Sequence, residues 1–399
     1  MSEDPVPTPP DVETELVEQK VYECTCPDGK RRRLSMRDLL LQFKQKGFMQ
    51  GGMSRISDLH LKCGSPPYYR IDNEMVPWSE REEDRLTADT VRKLIAGTLS
   101  PEQQERLDDV EEIDASYSTA GLSFRMNIFR DRRGLAAAIR MLPIETPEVE
   151  DIGFPDDFVW QNIVNLRQGL VILTGITGSG KSTTIASLIE RINQTRRCHM
   201  ITLEDPIEYM FSNKLAAISQ RQVGRDTATF AGGLRAILRE DPDIILVGEM
   251  RDKETMQNAL TAAETGHLVL TTLHTRDAKG VVTRITDMFP EERHDEVAAH
   301  LSLCLTWVIA QKLVTRTDGH GRTVAMEVLR NTPAVGALIR NMQIAQVYSA
   351  MQTGARDHMC TLEKCLVGLC RQGKISPEEA ERWANAPDAF RSALSRERR

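Results

Sequence analysis

Eight consecutive residues, Gly175-Ile176-Thr177-Gly178-Ser179-Gly180-Lys181-Ser182, fit the pattern G-x-x-x-x-G-K-[ST] at every position. An apolar run, Leu170 to Leu173, precedes them, and a helical stretch from Thr183 to Ile192 follows. That strand, loop and helix order is the context in which the pattern binds the phosphates of a nucleotide. Glycines let successive backbone N–H groups curl around phosphate oxygens, and the helix start adds a favourable dipole. Lys181 is expected to reach the β- and γ-phosphates, and Ser182 to ligate Mg²⁺. Ile176, Thr177, Ser179 and Thr183 complete the loop that would hold ATP.

Such a site needs acids. Asp243-Ile244-Ile245-Leu246-Val247-Gly248-Glu249 is an apolar strand ending in one, which puts Glu249 where Mg²⁺ or its water shell would sit. Most phosphate-loop enzymes carry Asp there, so Glu249 departs from the general pattern. Hydrolysis also needs a carboxylate that orients or deprotonates the attacking water. Thr202-Leu203-Glu204-Asp205-Pro206-Ile207-Glu208 supplies three, just after a second strand, at the sheet edge where ligands bind. His267 and His274 flank the strand Leu268 to Leu273. Their ordinary role would be structural hydrogen bonding. Beside these acids they are candidates for contact with nucleotide through γ-phosphate sensing, or for coupling around a ring.

The elements that must position these groups are legible in coarse form. Between residues 169 and 275 short apolar strands (170–173, 200–203, 244–247, 268–272) alternate with helical patterns, one of them marked by Met256, Ala259, Leu260 and Ala263. Alternation of this kind predicts a mostly parallel sheet covered by helices, an α/β core spanning 146–290. Residues 36–145 read as a separate α+β module. Arg37 to Lys46 is helical in pattern, and Asp58 to Lys62, Tyr68 to Ile71 and Phe124 to Phe129 are strand-like. Met141 to Pro155, with three prolines among acidic residues, reads as a linker. Val297, Leu301, Leu305 and Val308 share a helical stripe, and Ser376-Pro377-Glu378-Glu379 reads as a capping box, so 291–385 is expected to be a small helical region with a tail at 386–399. Residues 1–35, with Pro5, Pro7, Pro9, Pro10 and the basic run Lys30 to Arg33, are expected to form a flexible extension.

Bulk composition narrows the function. Charged residues make up 27% of the chain and the net charge is −7, which argues against a surface built mainly for nucleic acid or anionic membrane. The eight cysteines are too scattered for a secreted disulfide scaffold, and Cys24-x-Cys26 has no second pair for zinc. The first twelve residues are acidic and proline-rich, unlike a signal peptide. Leu301 to Ala310 is about half the length of a membrane span. The expectation is a cytoplasmic protein with no transmembrane segment, reaching any membrane through a partner.

Taken together these segments closely resemble the secretion ATPases of type II, type IV and type IV pilus systems, above all the PilT-like pilus-retraction (twitching motility) branch. Four family motifs match in order: the Walker A loop at 175–182, an acidic "Asp box" at 202–208, the Walker B strand at 243–249 and a "His box" at 267–274. Matching text extends back to Ser57-Asp58-Leu59-His60-Leu61 and forward to Gln346–Gly354. The family normally carries Glu at the Walker B position, which accounts for Glu249. The resemblance implies a PAS-like first module, a RecA-like second one, and a homohexamer with ATP at each subunit interface. It implies Glu208 as catalytic base, Glu249 as the Mg²⁺-coordinating acid, and Arg125 and Arg140 as γ-phosphate sensors, although from the sequence alone the two arginines read equally well as salt-bridge partners. It further implies a motor peripheral to an inner-membrane pilus platform protein, driving pilus disassembly.

One departure stands out. The retraction branch carries a signature close to A-I-R-N-L-I-R-E in its last domain, where this chain has Ala334-Val335-Gly336-Ala337-Leu338-Ile339-Arg340-Asn341. The alternatives are therefore an accessory retraction paralogue or regulatory ring subunit working with a second ATPase, and an assembly or secretion ATPase of the same superfamily. The latter commonly carries a four-cysteine zinc insertion that this sequence lacks. A nucleic-acid-translocating hexamer shares the phosphate loop, but no basic-aromatic groove accompanies it here.

Overall fold

The computed structural model describes residues 18–26, 28–45, 49–50, 53–72, 74–107, 112–142, 146–318 and 321–396. Its contacts divide the chain into two compact units, 1–145 and 146–399.

The first unit opens with a hairpin of β1 (Tyr22–Thr25) and β2 (Arg31–Leu34), followed by helix α1 (Met36–Leu41). Its main sheet is built from β3 (Ile56–Lys62), β4 (Tyr68–Ile71), β5 (Glu74–Pro77), β6 (Glu112–Thr119), β7 (Leu122–Asp131) and β8 (Gly134–Met141). These run antiparallel in the order β5-β4-β3-β8-β7-β6. Because side chains alternate along a strand, Leu59, Leu61, Phe124, Met126, Ile128 and Ile139 enter one core together with Leu39 and Leu40 of α1 and Val91 and Leu94 of α2 (Ala88–Ala96). The alternate residues Asp58, His60, Arg125 and Arg140 lie on the other face.

The expected extension therefore needs correction. Tyr22 and Cys24 are buried in the same core, and the Tyr22 hydroxyl donates to the Asp84 carbonyl at 2.7 Å. Arg31, Arg32 and Arg33 of the basic run are exposed residues of strand β2, paired with β1, rather than part of a free arm. Pro5, Pro7, Pro9 and Pro10 lie outside the described residues.

After α3 (Pro101–Arg106) of the first unit, the second unit begins its helices with α4 (Asp157–Asn165), which leads to a seven-stranded sheet. Its strands are β9 (Gly169–Thr174), β10 (His199–Glu204), β11 (Ala217–Gln222), β12 (Ile244–Val247), β13 (Leu268–Leu273), β14 (Leu305–Thr315) and β15 (Arg322–Arg330), in the order β11-β10-β12-β13-β9-β14-β15. All neighbours are parallel except β14 and β15. Helices α5 (Lys181–Thr195), α6 (Phe230–Ile237), α7 (Lys253–Glu264), α8 (Lys279–Thr286) and α9 (His294–Cys304) cover it. Val171 and Leu173 enter one core with Ile185, Leu188 and Ile189, whereas Leu170 and Ile172 enter the other with Met256, Ala259 and Leu260. A strand buried on both faces must be apolar throughout, which is why 170–173 shows no alternation.

The boundary at 290 does not hold. Leu305 and Val308 belong to β14, not to a helix, and β14 pairs directly with β9. The stripe at 297–308 crosses from helix to strand, a coincidence of spacing. Helices α10 (Pro333–Arg340), α11 (Ile344–Thr353), α12 (Leu362–Arg371), α13 (Pro377–Trp383) and α14 (Pro387–Arg396) follow the last strand. The expected tail is mostly α14, with Phe390 fully buried. At α13 the Ser376 hydroxyl accepts the Glu379 N–H, but the Glu379 carboxylate takes the Trp383 indole N–H at 3.0 Å, so the capping box is half made.

Candidate functional site

The carboxyl ends of the parallel strands gather the predicted chemistry. β9 ends at Thr174 and runs into the glycine loop, β10 ends at Glu204, Glu249 lies two residues beyond β12, and His274 one beyond β13. Loops at this edge are where open α/β sheets bind ligands.

The loop is shaped by backbone that other residues cannot adopt. Gly175 has φ 145°, and a Cβ there would meet the Gln311 carbonyl at 2.5 Å and the Ser179 hydroxyl at 2.6 Å. Gly180, at φ 90°, caps α5 with no side chain of its own, so the first N–H groups of the helix face the loop. Among the described residues the buried Ser179 hydroxyl has no hydrogen-bond partner, which leaves a polar atom available to a phosphate oxygen.

Lys181 is 8% exposed, and its ammonium donates to the carbonyls of Gly175 at 2.9 Å and Ile176 at 3.2 Å. Burial lowers its pKa, while the negative charges of Glu208 and Glu249 pull it back up. The two acids singled out in the sequence are therefore both within electrostatic reach of this one cation. Ser182, next in the chain, is exposed.

Glu249 is largely buried, with a side chain 13% exposed. One carboxylate oxygen pairs with Arg251 at 2.7 Å and the other stands 3.7 Å from His274 Nε2. Glu204 accepts the Thr202 hydroxyl at 2.6 Å and the Gln220 amide at 3.4 Å. Burial pushes its carboxyl up to about 7, against the opposing pull of those bonds and of the Glu208 backbone N–H. Glu208 itself is exposed. Its neighbour Tyr209 is buried and hydrogen-bonds the Thr183 hydroxyl at 2.9 Å, which ties the acidic segment to the first turn of α5.

The structure thus brings Lys181, Glu208, Glu249, Glu204 and His274 to one edge. His267 is not among them. It precedes β13 at the opposite end of the strand, where its ring contacts the Ala262 carbonyl at 3.0 Å and closes the end of α7. Six residues of strand separate the two histidines by about 20 Å, so the expected nucleotide contact of His267 within this site is withdrawn. Arg125 and Arg140 belong to the first unit, where they are directly opposite each other on β7 and β8. Sequence reading missed Tyr209 and Arg251. Only their adjacency to Glu208 and Glu249 could have flagged them.

A glycine loop cradling a buried lysine, faced by two carboxylates on the carboxyl edge of a RecA-like parallel sheet, defines a P-loop ATPase. Residues 53–379 match the family described as "Type II/IV secretion system protein", and the chain belongs to that family. It is 43% identical over 339 residues to the "Type IV pilus retractation ATPase PilT" of Pseudomonas aeruginosa, covering 84% of this chain and 96% of that protein. The "Type IV pilus ATPase PilU" of the same organism is 34% identical over 336 residues, covering 84% of this chain and 87% of that one. A solved structure, "Crystal Structure of the Pilus Retraction Motor PilT and Bound ADP", superposes with a TM-score of 0.81 at 41% identity, over 90% of this chain and all of that one.

Proposed function

We propose that this chain is an Mg²⁺-dependent ATP hydrolase that works as a homohexameric motor of pilus retraction, docked in the cytoplasm on an inner-membrane platform protein. The observation that carries the reading is the buried Lys181 at the start of α5, held by the carbonyls of the glycine loop, with Glu208 and Glu249 on the same sheet edge and near enough to act on its charge. One cation facing two acids at a helix start is the arrangement phosphoryl transfer needs. Likeness to relatives named for retraction supplies the direction of the work.

In this reading Lys181 bonds the β- and γ-phosphates, exchanging its two loop carbonyls for phosphate oxygens. Ser182 and Glu249 are hard oxygen donors suited to Mg²⁺, which keeps several waters and takes few protein ligands. Bound there, the ion would neutralise charge on the β- and γ-oxygens. Glu208 orients the attacking water and takes its proton, and the half-buried Glu204, which accepts the Glu208 backbone N–H, holds that segment in place. His274, beside Glu249, senses the terminal phosphate. Arg125 and Arg140 meet the phosphate at the interface between protomers, where they offset charge developing in the transition state.

Two substitutions test the assignment. Lys181→Ala should abolish turnover and weaken nucleotide binding. Glu208→Gln should bind ATP with near-normal affinity yet release phosphate about a thousandfold more slowly, the scale of a lost acid-base group. Wild-type turnover in Glu208→Gln removes it as the base. In the host, deletion should leave more pili and no twitching, whereas bald cells would point to assembly.

The α10 signature supports a second reading, an accessory retraction subunit that depends on a paralogue for force. At Gly336 a Cβ would stand 3.2 Å from the Asn331 side-chain oxygen, so a longer residue must displace Asn331. The Asn331 amide in turn bonds the carbonyls of Ser302 and Leu305, at the end of α9. Turnover of the purified chain with and without the paralogue separates the two.

A further inference from the structure

On the face of the first unit's sheet away from its core, one row of side chains crosses the strands by register. It runs from Arg70 on β4 to Asp58 on β3, Arg140 on β8 and Arg125 on β7. Two of the three guanidinium groups, those of Arg140 and Arg70, share one carboxylate. Asp58 is 5% exposed, and its Oδ1 accepts the Nε–H of Arg140 at 2.8 Å. Its Oδ2 accepts the Ser57 hydroxyl at 2.7 Å and stands 3.7 Å from Arg70. The Arg140 side chain is nevertheless 68% exposed, so it is held at one nitrogen and open at the others. Among the described residues Arg125 has no acidic partner within ion-pair distance.

We propose that Asp58 is a positioning residue for Arg140, fixing the direction in which that guanidinium presents its two terminal nitrogens to the terminal phosphate of ATP. The inference rests on the phosphate-directed role of Arg140 proposed above. Like charges directly opposite on neighbouring strands repel, and Arg140 faces Arg125 in that way. The carboxylate buried beside Arg140 offsets part of that repulsion and, deprived of water, must keep a cation at hand. Side-on capture through Nε uses one donor of the rigid five-donor fork and leaves the outer pair free for bidentate contact with an anion. Lysine has no equivalent nitrogen. Asp58 touches no reacting atom and acts only through Arg140.

The test is steady-state ATP turnover of the full chain for Asp58→Asn, Arg140→Ala, the double variant and Arg140→Lys. Arg140→Ala should lower kcat about a thousandfold, the scale of a lost phosphate-directed arginine. Asp58→Asn should lower kcat about a hundredfold, the scale of a misaligned group, with KM for ATP changed by less than about threefold. In the Arg140→Ala background Asp58→Asn should cost nothing further, because its effect passes through a side chain already removed. Arg140→Lys should fall with Asp58→Asn. Wild-type kcat in Asp58→Asn, or a full additional loss in the double variant, overturns the positioning role while leaving the reading of Arg140 intact. Wild-type kcat in Arg140→Ala instead removes the reading of Arg140, and the role of Asp58 with it. Should Asp58→Asn not fold, Arg140→Lys decides, since only an exposed side chain changes. Full activity there refutes the need for side-on capture.

Discussion

Replacing Glu204 by Gln should make the protein more stable, and only above a defined pH. The Glu204 carboxyl rises from the ordinary 4.5 to about 7, first because it is buried and despite the bonds from Thr202, Gln220 and the Glu208 N–H. A raised acid holds its proton more tightly in the folded chain than in the unfolded one. Between pH 4.5 and about 7 the folded state therefore binds more protons, and stability falls as pH rises through that window. At roughly 1.4 kcal/mol for each tenfold change in proton affinity, the full cost above pH 8 is about 3 kcal/mol. The amide in Glu204→Gln is neutral throughout and keeps an oxygen to accept the Thr202 hydroxyl. The two proteins should be equally stable near pH 4.5, and the variant ahead by about 3 kcal/mol at pH 9. The other buried acid pushed up to about 7, Glu327, is common to both and cancels in the difference. The assay is guanidinium unfolding of nucleotide-free protein across pH 5 to 9, followed by fluorescence of Trp160 and Trp307, both buried in the second unit. Parallel pH profiles, or a gap that widens toward acid, would refute burial as the origin of the shift.

Three further outcomes follow from particular contacts. Gly175→Ala, whose methyl would strike the Gln311 carbonyl, should lower turnover about a hundredfold by displacing the loop, and a normal kcat would show that the loop tolerates the shift. At pH 8 no more than three of the eight thiols should react quickly with a thiol reagent, because Cys24, Cys26, Cys304, Cys360 and Cys365 are buried. Burial pushes the Cys24, Cys304 and Cys360 thiols up to about 12, and mass mapping of a rapid label on any of the five would contradict that packing. Chelation of divalent ions should stop ATP turnover and added Mg²⁺ restore it. Undiminished hydrolysis in excess chelator would exclude Ser182 and Glu249 as metal ligands.

Legibility followed burial. β9, β12 and β13 are covered on both faces, so their apolar runs stood out from the text. The edge strand β11, Ala217-Ile218-Ser219-Gln220-Arg221-Gln222, has one neighbour and little cover, and nothing in its residues separates it from a loop. β14 was misread because Leu301 and Leu305 are four apart in a region where one element ends and the next begins. In the site, the loop and its acids were legible because phosphate chemistry restricts residue type and spacing together. Tyr209 was not, since its role comes from a hydroxyl meeting Thr183 across 26 positions of chain. The placement of His267 depended on which end of β13 faces the nucleotide, and flanking residues look alike in text whichever end they occupy.

Because β14 is hydrogen-bonded along the phosphate-loop strand itself, no natural seam separates catalysis from the C-terminal helices. A fragment ended at residue 290 would bare the flank of β9, an apolar, unpaired edge that invites association with other chains. The helices after β15 are mounted on the same rigid plate as Lys181. Swapping them between relatives exchanges part of the engine block along with the attachment, so chimaeras made at that point will register first as changes in nucleotide turnover.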